Sequence, residues 1–126
     1  RRLLTFAIGG TVKLPPAGPL KAPVPVDADY RPNPAVEDVG ASAYTLRCFG
    51  CHGPAAMSGG GAPDLRKSSI PLSSEAFASV VRDGMLRANG MPDFKEMDDQ
   101  TREALRQYLR KRMNDLRQEA GAGNTH

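Results

Sequence analysis

The residues with the clearest chemical potential lie in one short run, Cys48-Phe49-Gly50-Cys51-His52. The chain's two cysteines stand three positions apart there, and a histidine follows the second directly. This CxxCH spacing is the attachment pattern of a covalently bound haem. Its physical logic is helical. Residues i, i+3 and i+4 share one face of a helical turn. Cys48 and Cys51 then reach the two vinyl groups along one porphyrin edge, and His52 is carried beneath the iron. Phe49 and Gly50 point elsewhere. A disulfide between the two cysteines would close almost no loop and stabilise little. A thiol–disulfide site normally sits in a βαβ setting, which the flanking sequence lacks. A zinc site needs further ligands, and the only other histidine, His126, ends a glycine-rich tail.

A haem iron held by one histidine has a second axial position to fill. Met57, Met85, Met91, Met97 and Met113 are the thioether candidates. Met91 stands in Gly90-Met91-Pro92, where Gly90 permits a positive φ and Pro92 stiffens the turn that follows. Met57 is too near the CxxCH turn to cross the ring, and Met97 and Met113 fit as packing residues. Met85 is the rival, and an open or water-bound position is the third outcome. With His52 below and Met91 above, no coordination site is left for a substrate, and a soft thioether favours ferrous iron. Such a site moves single electrons; an open one would serve a haem enzyme or a sensor.

The elements that must position these groups are helical. One helix is predicted over about 35–47, running directly into Cys48. A second starts at Ser73 or Ser74, either a good N-cap, carries Phe77, Val80 and Val81 on one face, and ends at Gly84. A third begins after Asp98 or Asp99, with Ala104, Leu105, Tyr108, Leu109, Met113 and Leu116 at helical spacing, and frays at Gly121 and Gly123. Between the first two lies an irregular loop rich in glycine and proline, Gly53 to Pro71. Residues 14–34 hold seven of the eleven prolines, which excludes a helix or central strand and favours extended polyproline II. At ~3.1 Å per residue that linker or strap reaches roughly 65 Å at most. Residues 1–13 read as a strand-like piece ended by Gly9-Gly10, in preference to the remains of an export signal. The folded module is expected over 35–118, with a flexible tail at 119–126.

Composition sets limits on this picture. The chain of 126 residues has four Phe, three Tyr and no Trp, too few to build a thick core without help. A large apolar prosthetic disc would supply the missing volume. No run of about 18 apolar residues spans a membrane. The net charge of +3 resides in 101–120, where six bases (Arg102, Arg106, Arg110, Lys111, Arg112, Arg117) outnumber three acids. That segment reads as a solvated helix face, or else as a docking patch for an acidic redox partner. A single aromatic residue, Tyr108, stands among the bases, fewer than nucleic-acid binding would want.

With these residues in view, the sequence resembles class I cytochromes c, an all-α fold of three main helices around one covalent haem. Gly40, Tyr44 and Cys48, four apart, match the glycine, aromatic and first cysteine of that family's N-terminal helix. Leu105 and Tyr108 match the leucine and aromatic of its C-terminal helix, and the resemblance covers 35–118. It implies that the two helices cross where Gly40 lets the backbones approach. It also implies that the Pro63 carbonyl, in Gly61-Ala62-Pro63-Asp64-Leu65, accepts a hydrogen bond from His52 Nδ1, that Leu65 packs on the haem, and that Met91 is the sixth ligand. Arg66 is expected to pair with a haem propionate, the alternative being a solvated loop arginine.

A narrower similarity concerns Val80-Val81-Arg82-Asp83-Gly84 and Ala88-Asn89-Gly90-Met91-Pro92-Asp93-Phe94. These look like the C-terminal haem c domain of quinohaemoprotein alcohol dehydrogenases. In that family a propeller bearing pyrroloquinoline quinone (PQQ) and calcium precedes a proline-rich strap and the cytochrome. The resemblance implies electron relay from an upstream PQQ domain to a small copper protein or cytochrome, in the periplasm. Any oxidoreductase chemistry, PQQ or calcium would belong to that upstream domain. A free-standing periplasmic cytochrome c is the alternative.

Overall fold

The computed structural model describes residues 23–122. The expected strand-like piece at 1–13, the first part of the proline-rich segment and residues 123–126 lie outside the described residues. Among the described residues there are helices and turns but no strand.

The first helix, α1, spans Pro34–Arg47, one residue earlier than expected. Asn33 caps it: its side chain accepts a hydrogen bond from the Val36 amide at 3.4 Å. Pro34 at the first helical position already has the φ a helix needs and lacks an amide hydrogen that would go unpaired. Glu37, buried in the first turn, folds back to accept from the Asn33 amide at 3.0 Å and from the Tyr30 hydroxyl at 2.6 Å. At Cys48, with φ −113° and ψ −29°, the chain leaves the axis of α1 and begins a separate single turn, α2, Phe49–His52.

The loop that follows carries three 3₁₀ turns, Pro54–Ala56, Leu65–Lys67 and Ile70–Leu72. Helix α3 spans Ser74–Val81, and the Ser73 hydroxyl caps it by accepting from the Ala76 amide at 3.2 Å. Gly84, in the left-handed region at φ 71°, turns the chain away soon after. A further 3₁₀ turn, Arg87–Asn89, leads into the segment bearing Met91. Helix α4, Asp99–Ala122, is capped by Asp98, which accepts from both the amide and the hydroxyl of Thr101 at 2.8 Å. It passes the expected end at 118 because Gly121 costs a helix about 1 kcal/mol but does not stop it on an exposed last turn.

Helices α1 and α4 cross and form the frame. A Cβ on Gly40 would overlap the Ala104 carbonyl and lie 2.7 Å from Tyr108 Cβ, so only glycine permits the approach. Beside the crossing, the Tyr44 and Tyr108 rings pack at 5.3 Å between centroids with a 45° tilt. Tyr44, Phe77, Val80, Val81, Met97, Leu105 and Leu109 form the core, and Met113 is fully buried on α4.

Residues 23–33, expected as a linker, lie along α4. The Asp27 carboxylate takes a two-pronged contact from Arg110 at 2.7 and 2.8 Å. Arg110 also lies 5.9 Å from the Tyr30 ring centre, and Gln107 donates to the Arg31 carbonyl at 2.6 Å. The bases of α4 are therefore largely engaged within the molecule. Arg106 pairs with Glu103 and donates to the Pro71 carbonyl, Arg102 pairs with Asp99, and Lys111 and Arg112 share Asp115. The segment expected as a solvated face or a docking patch thus has most of its bases paired within the molecule, with several of them still partly exposed.

Candidate functional site

The α2 turn gathers the chemistry. The Cys51 and His52 amides both donate to the Cys48 carbonyl, at 3.2 and 2.9 Å, which closes the turn and sets the i, i+3, i+4 arrangement. Cys48 is half-buried and Cys51 exposed, and neither is in a disulfide. Burial, with a contribution from neighbouring Cys51, pushes the Cys48 thiol up to about 11. A thiol–disulfide catalyst needs the opposite shift, toward the thiolate. Among the described residues no three His, Cys, Asp or Glu side chains gather as a metal site would require, which also disfavours zinc.

His52 is only 8% exposed. Its Nδ1 lies 3.1 Å from the Pro63 carbonyl oxygen. A carbonyl can only accept, so Nδ1 carries the hydrogen, and in the neutral ring Nε2 keeps its lone pair for a metal. Gly53 ends the turn at φ 75° and ψ −179°. A side chain there would be strained, and its Cβ would sit 2.8 Å from the Gly59 nitrogen. The Tyr44 hydroxyl donates to the Gly53 carbonyl at 2.6 Å, and burial pushes that phenol up to about 12.

Leu65 and Met91 sit half-buried against the core, as do Cys48, Ile70, Leu86 and Phe94. These six side chains are partly buried apolar groups packed against the core, and the α2 turn supplies a histidine with an available nitrogen and two thiols outside any disulfide. That is the donor set and the lining a covalently attached haem requires, so the residues present fit it. Gly90 is left-handed at φ 89°, and the Met91 amide donates to the Leu86 carbonyl at 3.3 Å. The Phe94 amide is tied to the Val81 carbonyl at 2.7 Å, pinning the loop to α3. Met85 is 65% exposed and Met57 is exposed, while Met97 and Met113 are buried packing residues.

Arg66 is placed on Asp64. Its Nε and Nη2 reach the two carboxylate oxygens at 3.0 and 2.8 Å, and its amide donates to the same carboxylate at 3.1 Å. That hydrogen bonding holds Asp64 below the usual carboxylate range. Sequence reasoning did not anticipate this pair, although the i, i+2 spacing of Asp64 and Arg66 is a readable signal for an aspartate-capped turn. It also missed Arg112, whose Nε donates to the Ala55 carbonyl at 3.2 Å across 57 positions, a contact no local pattern announces.

Comparison with known proteins gives this geometry a family. Residues 35–109 match the family model described as "Cytochrome C oxidase, cbb3-type, subunit III". The chain is 41% identical over 100 residues to a quinohemoprotein alcohol dehydrogenase, ADH IIB, of Pseudomonas putida, covering 75% of this chain and 14% of that protein. It is 36% identical over 120 residues to the dehydrogenase subunit of a quinone alcohol dehydrogenase of Gluconobacter oxydans, covering 90% of this chain and 15% of that protein. A cytochrome c550 of Pseudomonas aeruginosa is 34% identical over 91 residues, covering 68% of this chain and 61% of the cytochrome. The chain thus spans only a small part, 14% and 15%, of the two dehydrogenases. No helix among the described residues is long and apolar enough to cross a membrane. With its CxxCH turn and its all-α frame, the chain belongs to the cytochrome c family, as an electron-transfer domain related to the cytochrome portions of quinohaemoprotein alcohol dehydrogenases.

Proposed function

We propose that this domain carries one haem c, with Cys48 and Cys51 as thioether anchors, His52 Nε2 and Met91 Sδ as axial ligands, and that it relays single electrons. The observation that carries the reading is the Nδ1 hydrogen bond from buried His52 to the Pro63 carbonyl, which leaves Nε2 as the ligand nitrogen. The haem supplies a one-electron couple at the iron. The remaining work belongs to the chain. The α2 turn would present both sulfurs to a bound haem, Pro63 holds the tautomer and plane of the imidazole, and Leu65 would lie against the group. Gly90 and the Val81–Phe94 bond hold Met91 on a fixed loop, which keeps the second axial position closed to small molecules. For Arg66 to reach a propionate it would have to share its guanidinium with Asp64, which already occupies two of its donors.

The similarity to quinohaemoprotein dehydrogenases supports an electron supply from an upstream PQQ domain in the same parent enzyme. It supports an external copper protein or cytochrome as acceptor, and a periplasmic location. The match to cytochrome c550 favours a second reading, a free-standing carrier, and the complete reading frame separates the two. The ligand assignment is tested on haem-loaded protein. The pigment is expected to resist extraction by acidified acetone. The ferric form is expected to show a long-wavelength iron–sulfur charge-transfer band, and the ferrous form to resist carbon monoxide. Met91→Ala should abolish the band and admit carbon monoxide, whereas Met85→Ala should change neither. Rapid carbon monoxide binding by the unaltered protein at neutral pH refutes the closed site.

A further inference from the structure

We propose that the Tyr44 hydroxyl is a positioning group for the axial histidine, acting through the Gly53 carbonyl; this rests on the reading of His52 as the iron ligand. Tyr44 is 1% exposed, and its ring is held by packing against Tyr108. A phenylalanine would fill that space without bringing a buried hydroxyl that must find a partner. The hydroxyl instead makes a 2.6 Å bond to the carbonyl of the residue directly after His52.

The chain leaving the histidine needs such a hold. Gly53 is at φ 75°, and two residues that are not glycine follow in the left-handed region, Ala55 at φ 51° and Ala56 at φ 64°. Ala56 is fully buried, so this stretch cannot relax into solvent. Conformations of this kind persist only where their surroundings over-determine them. Here the clamps come from the two crossing helices: Tyr44 of α1 on the Gly53 carbonyl, and Arg112 of α4 on the Ala55 carbonyl at 3.2 Å. The imidazole is thus fixed from two directions, through its backbone by Tyr44 and through Nδ1 by Pro63. The Nδ1 bond, at 3.1 Å, is on the long side, so a small movement of the His52 backbone weakens it. A weaker Nδ1 bond makes the imidazole a poorer electron donor to ferric iron.

The test is Tyr44→Phe in the haem-loaded protein, with Tyr108→Phe as the comparison, since that change removes a hydroxyl from the same ring pair without touching the bond to Gly53. Tyr44→Phe is expected to keep full covalent haem and a low-spin ferrous spectrum. It should alter the pattern of paramagnetically shifted haem methyl resonances, which reports the axial ligand planes, and move the midpoint potential upward. Tyr108→Phe should leave both readouts at their original values. If Tyr44→Phe lowers thermal stability but keeps the original methyl pattern and potential, the hydroxyl is a structural bond only and the proposal falls. If the unaltered protein lacks an axial imidazole signature, the ligand assignment itself falls and this proposal with it.

Discussion

Replacing Arg110 with methionine tests whether residues 23–33 are an integral strap or a loose tether. The side chains of Asp27 and Arg110 are only 4% and 11% exposed, and the guanidinium meets the carboxylate with two bonds of 2.7 and 2.8 Å. Methionine retains most of the aliphatic stem, so the change removes the charge-assisted fork and little packing. In a rigid interior, leaving one partner of a buried pair alone costs about 3–5 kcal/mol. The strap lies at the edge of the fold and can lift Asp27 back into water, so the loss is capped near the value of hydrogen bonds to a charged group, about 2 kcal/mol. For a domain of this size that lowers the thermal midpoint by roughly 10 °C. Acid titration gives a second readout. Hydrogen bonding from Arg110 holds Asp27 below the ordinary carboxylate range. The unfolded state therefore takes up a proton first, near its ordinary value of about 3.9. The stabilisation is fully present above that value and is lost as pH falls through it toward the lower folded value. Arg110→Met should flatten this part of the acid limb, and amide exchange in 23–33 should accelerate while the haem spectrum stays unchanged. A midpoint within about 2 °C of the original, with the same acid limb and the same exchange protection, would refute the latch.

Two further substitutions probe the frame and the site. Gly40→Ala drives a methyl into the Ala104 carbonyl and toward Tyr108 Cβ at 2.7 Å. The roughly 1 kcal/mol gained in helix propensity is outweighed by overpacking of about 1–3 kcal/mol or more, because the obstacle is backbone, and denaturant unfolding should show a net loss. Gly53→Ala combines a positive φ with a Cβ 2.8 Å from the Gly59 nitrogen. It should cost at least about 1–2 kcal/mol and reduce covalent haem loading, measured as haem per polypeptide, because the turn carrying His52 is displaced.

What the sequence determined by itself was local. CxxCH, the serine and aspartate caps, and the helical spacing of apolar residues are all short-range patterns, and they located α2, α3 and α4 to within a few residues. Gly40 was legible only through family resemblance, since spacing alone would rate it a weak helix residue. Tertiary structure decided what depends on distant partners. It gave the bases of α4 their targets, Arg110 reaching Asp27 across 83 positions and Arg112 reaching Ala55 across 57, so that an apparent surface charge excess became internal fastening. It likewise turned the proline-rich stretch into a docked strap from Asp27 onward, and committed Arg66 to Asp64. The physical reason is that side-chain pairing follows distance in space, which only the crossing of α1 and α4 sets, whereas turns, caps and amphipathic faces are written within a few residues of backbone.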